Sequence, residues 1–379
     1  MKSSCSLILL LAACLVSAWG GCWAQDATRP AKGGAAQDGS SNDKLFAMRA
    51  KAIAFLKASQ AEDGSFSAQI GPGVTGLVTY ALLRSDVPVT DPDVADALKY
   101  LEKKVQADGG IYQGEQVQNY ETSIALMCFH EANRDGRYDK VIADATRYAK
   151  KIQWDSDESV DASDVRYGGQ GYGSKKRPDL SNTGMFIDAL ETLGTDKNDP
   201  AIQEAIKFIS NSQNLQSPHN TTKFGALIND GGFYYTPVGE GESKAGTTEN
   251  GGLRSYGSMT YVGFKSLLYA GVSRDDPRVQ AAKDWIADHY TLDENPGVQQ
   301  QGLYYYYHVF AKSLDAFGEP TLTDSKGKAH NWRRDMIEAL AKRQRPDGSW
   351  ANVADRWYEG DASLVTAYSL LALSYCREK

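Results

Sequence analysis

The sequence predicts an all-α protein folded as an α/α toroid, six helical hairpins forming an inner and an outer layer of helices. Three observations lead there. A block made of an amphipathic helix, a Gly-rich turn and a second, more apolar helix recurs six times along the chain. Asp91-Pro92, Asp199-Pro200 and Asp276-Pro277 open the first helices of blocks two, four and five, as an N-cap Asp followed by Pro at the first helical position. With 379 residues, 41% of them hydrophobic, and a mean hydropathy of -0.47, the chain can bury a large core and stay soluble.

The first block runs through Phe55-Leu56 to the turn Asp63-Gly64-Ser65-Phe66, then through Val74-Thr75-Gly76-Leu77 into the run Val78 to Leu83. In the second, Val94, Ala97, Leu98, Leu101 and Val105 keep helical spacing, Asp108-Gly109-Gly110 breaks the helix, and Tyr120-Glu121-Thr122-Ser123 opens the apolar helix Ile124 to Phe129. The third leads from Val141, Ala145, Tyr148 and Ile152 through Tyr167-Gly168-Gly169-Gln170-Gly171-Tyr172 to Ser181-Asn182-Thr183-Gly184 and Met185 to Leu193. The fourth has Ile202, Ala205, Ile206 and Ile209, the turn Asp230-Gly231-Gly232-Phe233, and Ser255-Tyr256-Gly257-Ser258 entering Met259 to Leu268. In the fifth, Val279, Ala282 and Ile286 lead to Gly302 and the run Leu303 to Phe317; the sixth has Met336, Ile337 and Leu340, then Asp347-Gly348-Ser349-Trp350, then Asp361-Ala362-Ser363 entering Leu364 to Leu373. In each pair the second helix is apolar nearly all round and must be covered, and the first, polar on one side, covers it. A closed ring of six pairs meets both demands. An open superhelix is the alternative, but its short-period hairpins conflict with the long, uneven connections here.

Charge and targeting signals narrow the context. With 41 Lys+Arg against 48 Asp+Glu, a net charge of -7 offers no basic footprint for nucleic acid. Lys2 precedes the apolar run Leu7 to Leu11, continued by Ala12, Ala13, Leu15 and Val16, which is too short for a transmembrane segment and reads as a signal peptide over residues 1–24. Cleavage at Cys22-Trp23-Ala24 gives a mature chain from Gln25; the rival reading takes Leu11-Ala12-Ala13-Cys14 as a lipobox, with acylation of Cys14. The protein is therefore expected to be exported, periplasmic or secreted. Residues 25–43 read as a disordered linker and 44–379 as the toroid domain. Cys128 and Cys376 remain in the mature chain, both in apolar helical contexts, as two buried thiols.

The turns Gln60-Ala61-Glu62-Asp63-Gly64-Ser65-Phe66 and, more closely, Gln344-Arg345-Pro346-Asp347-Gly348-Ser349-Trp350 resemble the QW repeats of squalene and terpene cyclases. The Thr- or Ser-initiated inner helices are similar to those of the prenyltransferase/squalene-oxidase repeat superfamily, whose fold is an α/α toroid, and the resemblance covers residues 44 to 376. It implies less about chemistry. Where squalene-hopene cyclases carry an Asp-x-Asp-Asp motif, this chain has Asp179-Leu180-Ser181-Asn182, so a serine stands where the protonating acid should be. Asp155-Ser156-Asp157-Glu158 lies before the Gly turn and reads as a solvated loop. The Asp, Cys and His that hold zinc in protein prenyltransferases have no counterpart: neither cysteine has an Asp two residues before it, and Cys128 and His130 are wrongly spaced on one helix to share an ion. No Gly-Cys-Gly-Glu-Gln thioester motif occurs. Neither a metal nor another cofactor is expected.

If the inner helices start at one rim, their first residues surround the mouth of a central cavity. The candidate acids there are Asp361, Glu121 and Asp179, although Asp361 and Glu121 also stand where a helix N-terminus favours a carboxylate. Candidate ligand-binding residues on or near the helix starts are Tyr120, Tyr256 and His308. The long connections 155–180 and 211–255 add Tyr167, Tyr172, Phe233, Tyr234, Tyr235 and Arg254, and block six adds Trp350, Trp357 and Tyr358. Tyr304 to Tyr307 runs right round a helix, so only one or two of these four can face a cavity. Three functions fit. The first is a non-catalytic exported protein whose aromatic cavity holds an isoprenoid-like, lipid or carbohydrate ligand, motivated by the lost acid at Ser181. The second is a cyclase-type enzyme using Asp361 or Glu121 as a non-standard acid, and the third, by analogy of fold alone, a polysaccharide-degrading enzyme.

Overall fold

The computed structural model describes residues 34–156 and 159–377, with side chains from Ser41 onward. The signal-peptide and lipobox residues, the first part of the expected linker and Asp157-Glu158 lie outside the described residues. Twelve α-helices alternate between two layers among the described residues. The outer layer comprises α1 (Gly34–Ala58), α3 (Pro92–Glu102), α5 (Asp139–Lys151), α7 (Pro200–Asn211), α9 (Pro277–Asp288) and α11 (Trp332–Ala341). The inner layer comprises α2 (Pro72–Arg84), α4 (Gln118–Ala132), α6 (Leu180–Thr192), α8 (Gly257–Tyr269), α10 (Leu303–Phe317) and α12 (Ala362–Tyr375). Each inner helix packs on the next, and α12 packs on α2, so the ring closes. Among the described residues no helix is long and apolar enough to cross a membrane.

Local chemistry sets the helix boundaries. Asp91, Asp199 and Asp276 accept hydrogen bonds from the backbone N–H groups of Asp93, Ala201 and Arg278, each with Pro at the first helical position. Inner helices such as α12 are buried on nearly every side, whereas α5 buries only Ala145, Tyr148 and Ala149. Two features depart from the sequence expectation. Helix α1 begins at Gly34, inside the stretch read as a linker, because the helical run continues upstream of the packed part, whose first buried core residue is Leu45. A short antiparallel hairpin, β1 (Leu322–Thr323) with β2 (Ala329–His330), joins α10 to α11.

The repeated turns form the joints of the ring. Gly348 has φ +91°, and a Cβ there would stand 2.5 Å from the carbonyl oxygen of Lys51 on α1. Gly64, Gly109, Gly168 and Gly231 press in the same way on backbone carbonyls of α3, α5, α7 and α9, at Asp96, Asp144, Glu204 and Ala281. The side-chain amide of Gln344 donates to the carbonyls of Gly348 (2.9 Å) and Met48 (3.0 Å), linking its own turn to α1. Gln60, Gln153 and Gln213 repeat the clamp onto Asp93, Ala201 and Arg278. A Thr one turn into the inner helix completes each joint: Thr75, Thr122, Thr183, Thr260 and Thr366 accept from the N–H of Phe66, Ile111, Gln170, Phe233 and Trp350.

Gly348→Ala is therefore expected to destabilise the fold by about 1–3 kcal/mol or more, through both the left-handed backbone and the clash with a carbonyl that cannot move. Gly327→Ala, in a left-handed turn with nothing within 4 Å, isolates the backbone cost. Equal losses for the two variants in urea unfolding would show that the contact with α1 contributes nothing.

Candidate functional site

The ring brings the first turns of all six inner helices to one face, where they enclose a cavity of about 330 Å³. Gly73 and Val74 come from α2, Tyr120 and Glu121 from α4, Ser181 from α6, Ser258 and Met259 from α8, Tyr305 from α10, and Leu364 and Tyr368 from α12. Tyr172, Tyr235, Lys244 and Tyr256 arrive from the long connections, and Trp357, Tyr358 and Glu359 from a single 3₁₀ turn (Arg356–Tyr358) and the residue after it. The hydroxyls of Tyr120 and Tyr368 pair at 3.1 Å, and those of Ser181 and Tyr305 at 3.0 Å, so these groups answer one another and leave ring faces to the cavity. At the mouth, Trp357 (φ 59°) and Tyr358 (φ 63°) are consecutive non-glycine residues in the left-handed region. Side chains held so are strained, and such strain clusters at ligand clamps. Gly302 lies so close beneath the Trp357 ring that a Cβ there would meet it at 3.0 Å, which fixes the indole, while Tyr358 stays 64% exposed.

Seven of the residues expected at the site line this cavity: Glu121, Tyr120, Tyr172, Tyr235, Tyr256, Trp357 and Tyr358. Asp179 and Asp361 lie at its edge as helix caps. Asp179 accepts from the backbone N–H of Asn182 at 2.9 Å and from its side-chain amide at 2.8 Å; Asp361 accepts from the N–H of Leu364 at 2.9 Å and from the Ser67 hydroxyl at 2.7 Å. The other six are elsewhere, Phe233 among them, fully buried in the core. Tyr167 donates to Glu204 on α7. Tyr234 donates to the Asn211 carbonyl in a small cluster with Phe224 and Leu253. Arg254 donates to the Thr247 carbonyl at the exposed surface. Trp350 is fully buried, its indole N–H donating to the Leu340 carbonyl. His308 lies below the cavity floor, its ring 5.9 Å from that of Tyr368. Trp350, the aromatic that follows its Gly turn, has been drawn between its own two helices, bonding to Leu340 on α11 and Thr366 on α12.

Glu359, Tyr305, Tyr368 and Lys244 complete the wall and escaped the sequence reading. The Tyr304–Tyr307 run did carry a signal, since one or two of its rings could face a cavity, and Tyr305 does. Glu359 carried none: its carboxylate accepts from the N–H groups of Tyr304 (2.9 Å) and Tyr305 (2.8 Å) and from the Asn352 amide (2.7 Å), so its role is to cap α10 from a different block.

Burial sets the protonation of these acids. It raises Glu121 to about 7, against the pull of the Gln113 and Gly73 N–H groups, and Glu359 to about 7, against the donors of Asn352 and α10. Asp179 rises to about 6 for the same reason, opposed by Asn182. Lys244 is ion-paired to Glu242, which also binds Arg177 at 2.5 Å, and its ammonium stands 4.4 Å above the Tyr235 ring. Among the described residues no three His, Cys, Asp or Glu side chains converge as a metal set.

Comparison with known proteins supports the fold. A family 76 glycoside hydrolase from a bovine Bacteroides thetaiotaomicron strain superposes with a TM-score of 0.53 at 11% identity, covering 87% of this chain and 77% of that one. The type II terpene cyclase MstE from Scytonema is similar at a TM-score of 0.49 and 15% identity, covering 88% of this chain and 97% of its own. A protein from Actinoplanes gives 0.46 and 15%, covering 88% and 99%. No family model and no curated protein sequence matches the chain. What the chain shares with the glycoside hydrolase is the α/α toroid; at 11% identity it carries no reaction with it.

The raised carboxyls make a pH prediction. In the unfolded chain Glu121 and Glu359 are deprotonated well below neutrality, whereas the folded protein keeps their protons up to about 7. Proton binding thus favours the folded state on the acid side, and stability falls as pH rises through about 7. From about pH 6.5 to about pH 8 each group should cost about 1 kcal/mol, read as a falling Tm. Glu121→Gln, neutral throughout, should flatten the fall, and a wild-type Tm that rises across the window would contradict the assignment.

Proposed function

We propose that this is an exported binding protein whose cup takes a carbohydrate ring or chain end, stacked on the tyrosine and tryptophan faces. One observation carries the reading: a blind cavity with at least seven tyrosines and one tryptophan in its wall, several hydroxyls already paired, opening at a strained aromatic mouth. At about 330 Å³ the cup holds roughly ten waters' worth of space and falls at the small end of ligand pockets. Its floor is closed by Tyr120, Tyr305 and Tyr368, so a polymer enters by its end.

Binding is favoured over catalysis by the acids themselves. Glycoside hydrolysis needs two working carboxyl groups. Here each acid is already engaged: Glu359 accepts three hydrogen bonds, Asp179 caps α6, and Glu121, which lines the cavity, accepts from the backbone N–H of Gln113 at 2.8 Å and from that of Gly73 in the first turn of α2. A carboxyl raised toward neutrality is a good hydrogen-bond donor to a sugar oxygen and too weak an acid to protonate an alkene. A second reading, an isoprenoid-like ligand, rests on the apolar ring faces. Export follows from the N-terminal apolar run and suits either ligand.

Trp357 reports on both readings through its fluorescence. Neutral oligosaccharides are expected to quench or shift it saturably, and Tyr358→Ala to weaken that binding about tenfold, equivalent to about 1.4 kcal/mol. A response to isoprenoid alcohols alone would replace the carbohydrate reading with the second one. No response to either class sinks the cup as a binding site.

A further inference from the structure

Beneath the floor of the cup, on the axis of the ring, lies a second polar centre. Asp188 of α6 stands between Lys265 of α8 and Lys312 of α10, and their side chains are 5%, 1% and 3% exposed. Lys265 bonds Asp188 Oδ1 and reaches the Gly184 carbonyl at 3.5 Å. Lys312 Nζ lies 2.9 Å from Asp188 Oδ2, its one polar contact among the described residues, although an ammonium offers three N–H donors. One turn earlier on the same face of α10, His308 is 5% exposed and its Nδ1 has no hydrogen-bond partner. The Tyr269 ring lies within 5.7 Å of both ammonium groups, and Tyr80 and Tyr375 turn toward Lys312.

The charges do not balance. Two buried lysines share one carboxylate. Arg84 and Glu131, 3.9 Å apart, cancel each other, and Glu191, one turn beyond Asp188, is only half-buried. An uncompensated buried ammonium costs several kcal/mol unless something answers it.

We propose that this centre binds a small monovalent anion of halide size, held between Lys312 Nζ and the Nδ1–H of His308. The anion accepts from the unused ammonium donors and from the orphaned ring nitrogen, and it neutralises the excess charge. Burial, with Lys312 beside it, pushes His308 down to about 3, so the ring is neutral near pH 7 and carries one proton, available at Nδ1. Burial alone would raise Asp188, but Lys265 and Lys312 reverse this and keep it ionised; burial lowers Lys265 only to about 8, so near pH 7 loss of a lysine proton does not remove the excess positive charge. The site is separate from the cup and stands or falls independently of the carbohydrate reading.

Melting in sodium chloride and in sodium gluconate at equal ionic strength tests it, gluconate being too large for the buried site. The wild-type Tm is expected to rise by about 2–3 °C per tenfold increase in chloride above its Kd, and not in gluconate. Bromide-soaked crystals should show an anomalous peak between Lys312 and His308. Lys312→Met leaves Asp188 and Lys265 as a neutral pair, and should remove both the chloride dependence and the peak. Should that variant fail to fold, His308→Phe, which keeps the ring contact with Tyr368, is expected to weaken chloride binding tenfold or more. Equal Tm values in the two salts together with no bromine peak overturn the proposal, as does a chloride dependence unchanged in either folded variant.

Discussion

The ring depends on one contact, made at five of the six junctions: the turn glycine of a block pressed on a backbone carbonyl of the next outer helix. Gly64 meets α3, Gly109 meets α5, Gly168 meets α7, Gly231 meets α9, and Gly348 meets α1. The separations leave no room for a methyl group, and the glutamine clamps bridge the same junctions in four of the five cases. No block completes its own joint, because the partner carbonyl always belongs to the following block. Block six closes on block one through Gly348 with Lys51 and Gln344 with Met48, so the chain needs no capping repeat of the kind that ends an open solenoid. The conspicuous residues of the QW-like turns thus act in closure, and the aromatic that ends each motif fills the core beside it.

Closure has an electrostatic consequence. It aims six inner-helix N-termini at one face, each carrying a partial positive charge and unsatisfied N–H groups. Asp179, Asp361 and Glu359 answer those groups directly on α6, α12 and α10. An acid-rich rim is therefore first a product of the architecture. Glu121 belongs to it too, accepting from the N–H groups of Gln113 and of Gly73 in the first turn of α2, but it also lines the cavity, and burial raises it to about 7, so that near neutrality it is protonated in part.

The fold was legible because its signals are local. Asp-Pro caps, turn glycines and the contrast between one-sided and all-round apolar helices each depend on a few neighbouring residues, and their recurrence in register implied the ring. The cup was legible only in part. Tyr120 and Glu121 belong to a helix start whose place at the rim followed from the repeat, whereas Tyr368 lies a turn deeper on α12 and its direction depends on helix rotation. Trp350 and Tyr234 follow Gly turns and were drawn into packing, a choice made by surrounding volume rather than by local sequence. Glu359 was illegible for a different reason: its partners, the amides of Tyr304 and Tyr305, come from the preceding block.

The two polar centres on the axis bear together on what the cup can host. Tyrosine faces alone would suit a cationic intermediate. Beneath them, however, lie two lysines sharing one carboxylate, an excess of positive charge that the protein itself does not cancel, while Lys244 at the wall is paired with Glu242. The inner-helix N-termini add positive potential from above. A carbocation formed in the cup would sit between these charges, with its nearest acids either capping helices or protonated. The oxygen-rich ligand proposed above would meet the opposite situation, with the partly protonated Glu121 carboxyl as a donor to its lone pairs and tyrosine faces under its apolar ring. These charges, more than the shape of the cup, are the ground for proposing a sugar ahead of a cationic intermediate.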